Sequence, residues 1–166
     1  LGSVVGLWCL GCGWCLGCGL LVGCGRGWSG AALDVDRRQA QRGGVALIVE
    51  YGNPPSLGAT LQAVRSHHRA PPLLHPGLAD LTAHVDFEAL AKASPSAHTR
   101  PTDQGVFLER LGITPRANQL VKSLQGSALT SHIAAHRRLT HPSEMGTLFK
   151  AMGLFPASAP PPPGLD

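Results

Sequence analysis

The stretch GVALIVEYG, residues 44–52, decides how the chain is read. Glycine stands at both ends, and between them runs an unbroken series of β-branched and aliphatic residues, too short for an ordinary helix. A continuous run, without polar alternation, is what a strand covered on both faces requires, and such strands form the interior of α/β sheets. In open α/β sheets ligands lie beyond the carboxyl ends of the strands. Glu50, Tyr51, Gly52 and Asn53 are therefore expected at a rim where a site is built. A strand followed by a plain turn in GNPP accounts for the same residues with no ligand.

Outward from this strand the composition is uneven. The 166 residues include 21 Gly and 14 Pro, concentrated at the two ends. Residues 1–41 are expected to form a Gly/Cys-rich low-complexity segment outside the fold, residues 42–155 the folded region, and residues 156–166 a Pro-rich disordered tail. Cys9, Cys12, Cys15 and Cys18 fall every third residue within the tandem repeat WCLGCGWCLGCG, residues 8–19. The spacing suits a metal, but the repeat lacks the charged and hydrogen-bonding neighbours that orient metal ligands, so no metal site is expected. Residues 1–25 carry no charge, yet their glycine content argues against a membrane span. Gly25, Gly27 and Gly30 imitate a nucleotide-binding glycine loop without the β-branched strand and amphipathic helix that such a loop needs. The formal charge of +4 comes from scattered residues and leaves no electrostatic footprint for nucleic acid. The chain opens at Leu1 inside an apolar stretch, which reads as a fragment of a longer product.

Downstream, LGATLQAVRSHH, residues 57–68, is read as a short helix ended before Pro71 and Pro72. ADLTAHVDF, residues 79–87, alternates polar and apolar side chains. As a strand it sets Thr82, His84 and Asp86 on one face and Leu81, Ala83, Val85 and Phe87 on the core face. Successive side chains on one face stand about 7 Å apart, too far for a direct His–Asp relay. Asp86 instead suits an N-cap for FEALAKA, with Glu88 in the first turn and a Glu88–Lys92 pair. Asp80, Thr82 and His84 remain candidates for a substrate face.

TDQGVFLERLGITPRANQLVKSLQG, residues 102–126, reads as two helices, the first capped by Asp103 and stopped by Gly112. The second starts at Thr114-Pro115, turns Leu120, Val121 and Leu124 inward, and stops at Gly126. His132 and His136 lie four apart on a third helix, which is metal-ligand spacing, but the absence of a nearby carboxylate favours a structural role. SEMGTLFKAMGLF, residues 143–155, is expected to return to the sheet as an edge or terminal strand.

Together, RGGVALIVEYG, TLQAVRSHH, PGLADLTAHVDFEAL, QGVFLERLGI and EMGTLFKAMGL stand in the order and approximate spacing of the C-terminal half of the MidA-like family. Residues 42–155 resemble that family, and PGLADLTAHVDF is the most specific piece. The resemblance implies the C-terminal part of a class I, Rossmann-like α/β fold, its N-terminal strands missing or replaced. It implies S-adenosylmethionine as cofactor and symmetric dimethylation of a protein arginine, assisting assembly of mitochondrial respiratory complex I. The implied partner is a complex I subunit, a homodimer is compatible, and a bacterial host would move the location to the cytoplasm.

The family usually has Asp-Tyr-Gly-His where this chain has Glu50-Tyr51-Gly52-Asn53. The acidic glycine-rich loop that holds the cofactor in the family lies upstream, and residues 1–40 do not resemble it, so the chain alone is expected to be inactive. Glu50 and Asp80 are the candidate catalytic and substrate-orienting carboxylates, since a guanidinium pairs well with carboxylates. Tyr51, Gly52, Thr82 and His84 are the candidate substrate-binding residues. The alternative is a non-catalytic protein-binding remnant of the family that acts in complex assembly.

Overall fold

A computed structural model describes residues 5–7, 43–52, 60–74 and 77–166. The Cys repeat, the glycine loop at residues 25–30 and Asn53 lie outside the described residues. Strand β1 (Val5–Leu7) runs parallel to β2 (Ala46–Tyr51), so these three residues of the segment expected to stay outside the fold add a strand to the sheet.

The run that decides the fold is β2, and its side chains alternate between buried (Ala46, Ile48, Glu50) and half-buried (Leu47, Val49, Tyr51). Two short strands, β3 (Gln62–Arg65) and β4 (His68–Ala70), form with β5 (Asp80–Thr82) a separate antiparallel sheet in the order β4-β3-β5. The helix expected over residues 57–68 is thus a hairpin. Ser66 and His67 close it with positive φ values of 48° and 64°, a left-handed conformation for which Gly or Asn is the usual sequence sign.

Helix α1 (Phe87–Ala93) begins as expected: the Asp86 carboxylate accepts a hydrogen bond from the Ala89 amide at 2.9 Å, and Lys92 pairs with Glu88 one turn on. Strands β6 (Ala97–His98) and β7 (Thr102–Asp103) follow, then helices α2 (Gln104–Arg110), α3 (Ile113–Val121) and α4 (Gly126–Thr140). Asp103 sits at the N-cap position of α2 but makes no capping bond; its carboxylate is engaged by Lys150 instead, at 2.6 Å. α3 starts two residues earlier than Thr114-Pro115 suggests, with Gly112 at its N-cap in the left-handed region. Ala117 is its buried residue, whereas Leu120 is exposed, and Gly126 opens α4 where the sequence suggested a stop.

His132 and His136 turn toward α3. His132 Nε2 lies 3.2 Å from the Ala117 carbonyl and His136 Nε2 2.9 Å from Thr114 Oγ1, so both act as packing ties. Among the described residues no group of three or more His, Cys, Asp or Glu could hold a metal ion, and no helix is long and apolar enough to cross a membrane.

The last strand, β8 (Phe149–Phe155), is interior and not an edge: β2 flanks it on one side, β6 and β7 on the other, all antiparallel. The register pairs Ala46 with Leu154, Ile48 with Met152 and Glu50 with Lys150. Opposed residues point to the same face. Ala46, Ile48, Met152 and Leu154 therefore meet Phe87 and Leu90 of α1, while Leu47, Val49 and Ala151 on the other face meet Phe107 and Leu108 of α2. The proline-rich tail, expected to be disordered, packs on that second face. Leu165 is 4% exposed within the Phe107–Ala151 cluster, and Arg110 Nη1 donates to the carbonyls of Gly164 and Asp166. Burying one leucine to that extent offers roughly 2 kcal/mol, enough to fix a short segment whose prolines have little conformational entropy to lose.

Candidate functional site

The site forms where β2 ends. The Val85 amide donates to the Tyr51 carbonyl at 3.0 Å, so the segment after β5 crosses the strand's carboxyl end. Gly52 permits this crossing: a Cβ there would stand 2.2 Å from the Val85 carbonyl oxygen. The crossing carries His84 onto Tyr51, edge to face at 5.6 Å between ring centroids, and Tyr51 in turn meets Phe149 at 5.5 Å. The His84 backbone is tied by its amide to Thr60 Oγ1 at 3.1 Å.

Gly52 and His84 form one side of a pocket of about 550 Å³. The opposite side comes from a wide π-type turn, Pro142–Gly146, and the start of β8, which contribute Ser143, Glu144, Thr147 and Lys150. Nothing in the period of the sequence singles out this wall. Its sign was the pair of glycine dipeptides, Gln104-Gly105 and Met145-Gly146, which meet at one junction. Gln104 is buried and its Nε2 donates to the Leu139 carbonyl at 2.9 Å; a Cβ on Gly105 or Gly146 would lie 2.4 or 2.1 Å from the Thr140 carbonyl oxygen. Those residues bring the end of α4 against α2 and thereby set the turn. Within it, Thr147 Oγ1 donates to the Pro142 carbonyl at 2.7 Å, and His141 Nδ1 lies 2.7 Å from Ser143 Oγ.

The register places Glu50, Lys150 and Asp103 in a row on one face across β2, β8 and β7. Glu50 is buried, at 6% exposure, and burial pushes its carboxyl up from 4.5 to about 7, only partly offset by a hydrogen bond from the Tyr51 backbone. Lys150, which lines the pocket, is neutralised by Asp103 and also donates to the Thr147 carbonyl.

The structure therefore brings together Gly52 and His84 at the pocket, with Tyr51 behind His84 and Glu50 in the strand that leads to it. Asp80 and Thr82 are not among the pocket's lining residues. They pair with Val64 and Gln62 in the three-stranded sheet. Leu81, expected in the core, is 39% exposed there, and Ala83 is exposed too, because the stretch leaves the strand after Thr82; of the four apolar residues, Val85 packs against the main core and Phe87 is buried in it. The pocket's volume suits a small molecule or a side chain. An adenosine cofactor needs an acid for its ribose hydroxyls; Glu144 is the one carboxylate among the lining residues, and it would have to give up Arg137 to serve.

Residues 30–102 match the model of a protein family described as "Putative S-adenosyl-L-methionine-dependent methyltransferase". The chain is 36% identical over 118 residues to the mitochondrial protein arginine methyltransferase NDUFAF7 homolog of Drosophila melanogaster, covering 69% of this chain and 27% of that protein. To the mitochondrial protein arginine methyltransferase NDUFAF7 of Mus musculus it is 34% identical over 126 residues, 74% of this chain and 29% of that one. The chain thus spans under a third of the length of these relatives. Among solved structures, a COG1565 superfamily member from Burkholderia thailandensis bound to S-adenosyl-homocysteine superposes with a TM-score of 0.61 at 27% identity, over 82% of this chain and 36% of that one.

Proposed function

This chain is a relative of the MidA-like, S-adenosylmethionine-dependent methyltransferases over about 70% of its length, and on that premise we propose that its pocket is the acceptor side of a protein-arginine methyltransferase. The architecture is read as the C-terminal part of a class I, Rossmann-like fold. Two features support this: β1 and β2 run parallel, and β8 enters antiparallel between β2 and β6.

Bound S-adenosylmethionine would supply an electrophilic methyl group on a sulfonium. For an arginine nitrogen to take that methyl group as the carbon–sulfur bond gave way, one proton would have to depart from the guanidinium, and accepting it would fall to the chain's own residues. The observation that carries the reading is Glu50. Its carboxyl, held near 7 at the end of the strand that leads to the pocket, is divided between acid and carboxylate at neutral pH, which suits proton transfer. Tyr51, Gly52 and His84 orient the side chain that enters. Symmetric dimethylation and a complex I subunit as substrate are part of the proposal, as is a mitochondrial location, which the mitochondrial protein arginine methyltransferases among the relatives support.

The test is calorimetric titration with S-adenosylmethionine, followed by transfer of labelled methyl to an arginine peptide. The expected result is binding, with transfer falling at least a hundredfold in Glu50→Gln. Equal transfer by Glu50→Gln removes Glu50 from the chemistry. A non-catalytic docking role is the alternative, and the exposed Leu73 and Leu78, which lie between β4 and β5, favour it. A folded chain with no affinity for the cofactor would support that alternative.

A further inference from the structure

The pocket's charges are unevenly engaged. Lys150, the one ammonium among the lining residues, is already paired with Asp103. Glu144, the one carboxylate among them, is paired with a guanidinium: Arg137, in the last turn of α4, donates from Nε to Glu144 Oε1 at 2.9 Å. We infer that Glu144 is the carboxylate that receives the substrate's guanidinium, and that Arg137 occupies it as an internal stand-in until a substrate arginine displaces it. This rests on the arginine-methyltransferase reading and adds to it a specificity residue and an autoinhibitory contact.

The energetics permit the exchange. An ion pair as exposed as this one is weak, so little is lost when it opens. The side chain of Arg137 is 62% exposed, that of Glu144 33%, so the carboxylate is the more sheltered partner and the arginine the more readily released. The internal contact uses Nε and a single oxygen, whereas a guanidinium entering from the pocket can offer two parallel N–H groups, the stronger bidentate arrangement. An ammonium cannot match that fork. The site is accordingly selective for arginine over lysine. Glu144 can face the pocket because the chain leaves its helical course there, at φ −120° and ψ −125°. The turn that carries it is set by the Gly146 and Gln104 junction described above.

The test measures binding of two peptides, Gly-Arg-Gly and Gly-Lys-Gly, to the full chain and three variants, without cofactor. Arg137→Ala should tighten the arginine peptide about three- to fivefold and the lysine peptide much less. Arg137→Lys, which keeps the charge but loses the fork, should give a smaller gain, and it serves as the readout if Arg137→Ala fails to fold. Adding Glu144→Gln to Arg137→Ala should abolish the gain. Unchanged or weaker arginine binding when Arg137 is replaced, or a gain that survives Glu144→Gln, overturns the inference, as does the absence of arginine-peptide binding in every form. Cofactor titration is independent of these arms. Binding of S-adenosylmethionine with no Arg137 effect would sink this inference alone, while an Arg137 effect without cofactor binding would sink the methyltransferase reading alone.

Discussion

The five-stranded sheet is built around two long apolar strands, ALIVEY and FKAMGLF, and the three-stranded sheet from the short, largely polar QAVR, HRA and DLT; Ala46, Ile48, Met152 and Leu154 of the first are at most 6% exposed, while Leu81 of the second is 39% exposed. Strand length and apolar content are part of the difference, and what covers each sheet is the rest. The larger sheet is covered on one face by α1 and on the other by α2 and the tail, and no described helix packs on the smaller sheet to a comparable extent. An apolar side chain is buried by what lies over it, so the second sheet, whose Ala63 is buried, leaves Leu81 available to a partner while the first commits its apolar residues to stability.

That contrast is most severely challenged by truncation in the first core. Phe87→Ala, at a position with 0% exposure, should lower unfolding free energy by roughly 3–5 kcal/mol in urea titrations, and a loss below about 1 kcal/mol would mean that α1 does not clamp the sheet. Leu165→Ala should cost roughly 2–3 kcal/mol if the tail is part of the same core; a neutral result would detach it.

Glu50→Gln sharpens the comparison by pH. Because folding raises the Glu50 carboxyl from 4.5 to about 7, the native state holds this proton more tightly than the unfolded chain. The stability so contributed is complete below pH 4.5 and is lost as pH rises through about 7. Relative to wild type, Glu50→Gln should gain stability across that window and level off above it, by roughly 1–3 kcal/mol. A pH-independent difference in melting temperature would show that Glu50 is solvated. The smallest effect belongs to the second sheet: Leu81→Ala should move stability by no more than about 0.5 kcal/mol. A larger loss would reveal a core there that the exposure values do not show.

How much of this the sequence disclosed depends on where the determining contacts lie. β2 was legible because an unbroken apolar run between glycines has one economical structure, and α1 because Asp86, Glu88 and Lys92 act within a single turn of one another. The β3–β4 hairpin was not, since Ser66-His67 adopts left-handed backbone without the glycine or asparagine that announces it. The alternation in residues 79–87 could not say which sheet the strand joins, and so Asp80 and Thr82, read as part of a substrate face, pair with Val64 and Gln62 away from the pocket's lining residues. Gly52 lies at the pocket because it follows β2 directly, and His84, read from the alternating stretch, because that stretch crosses the end of β2. The opposite wall, with Glu144 and Lys150, lies some ninety residues downstream and is positioned by the close approach of Gly105 and Gly146 to Thr140, which no local pattern encodes.

The placement of β8 in the middle of the sheet also sets a timetable. β2 finds its antiparallel partner only about a hundred residues later in the chain. At roughly 5–20 residues per second, a ribosome needs on the order of 5–20 s to supply it. Throughout that interval the hydrogen-bonding edge of β2 and its Ile48 face are without the strand that covers them, a standing invitation to wrong partners. The nascent chain should therefore engage holdase chaperones in a narrow window, beginning when residue 51 clears the exit tunnel and closing when residue 155 does.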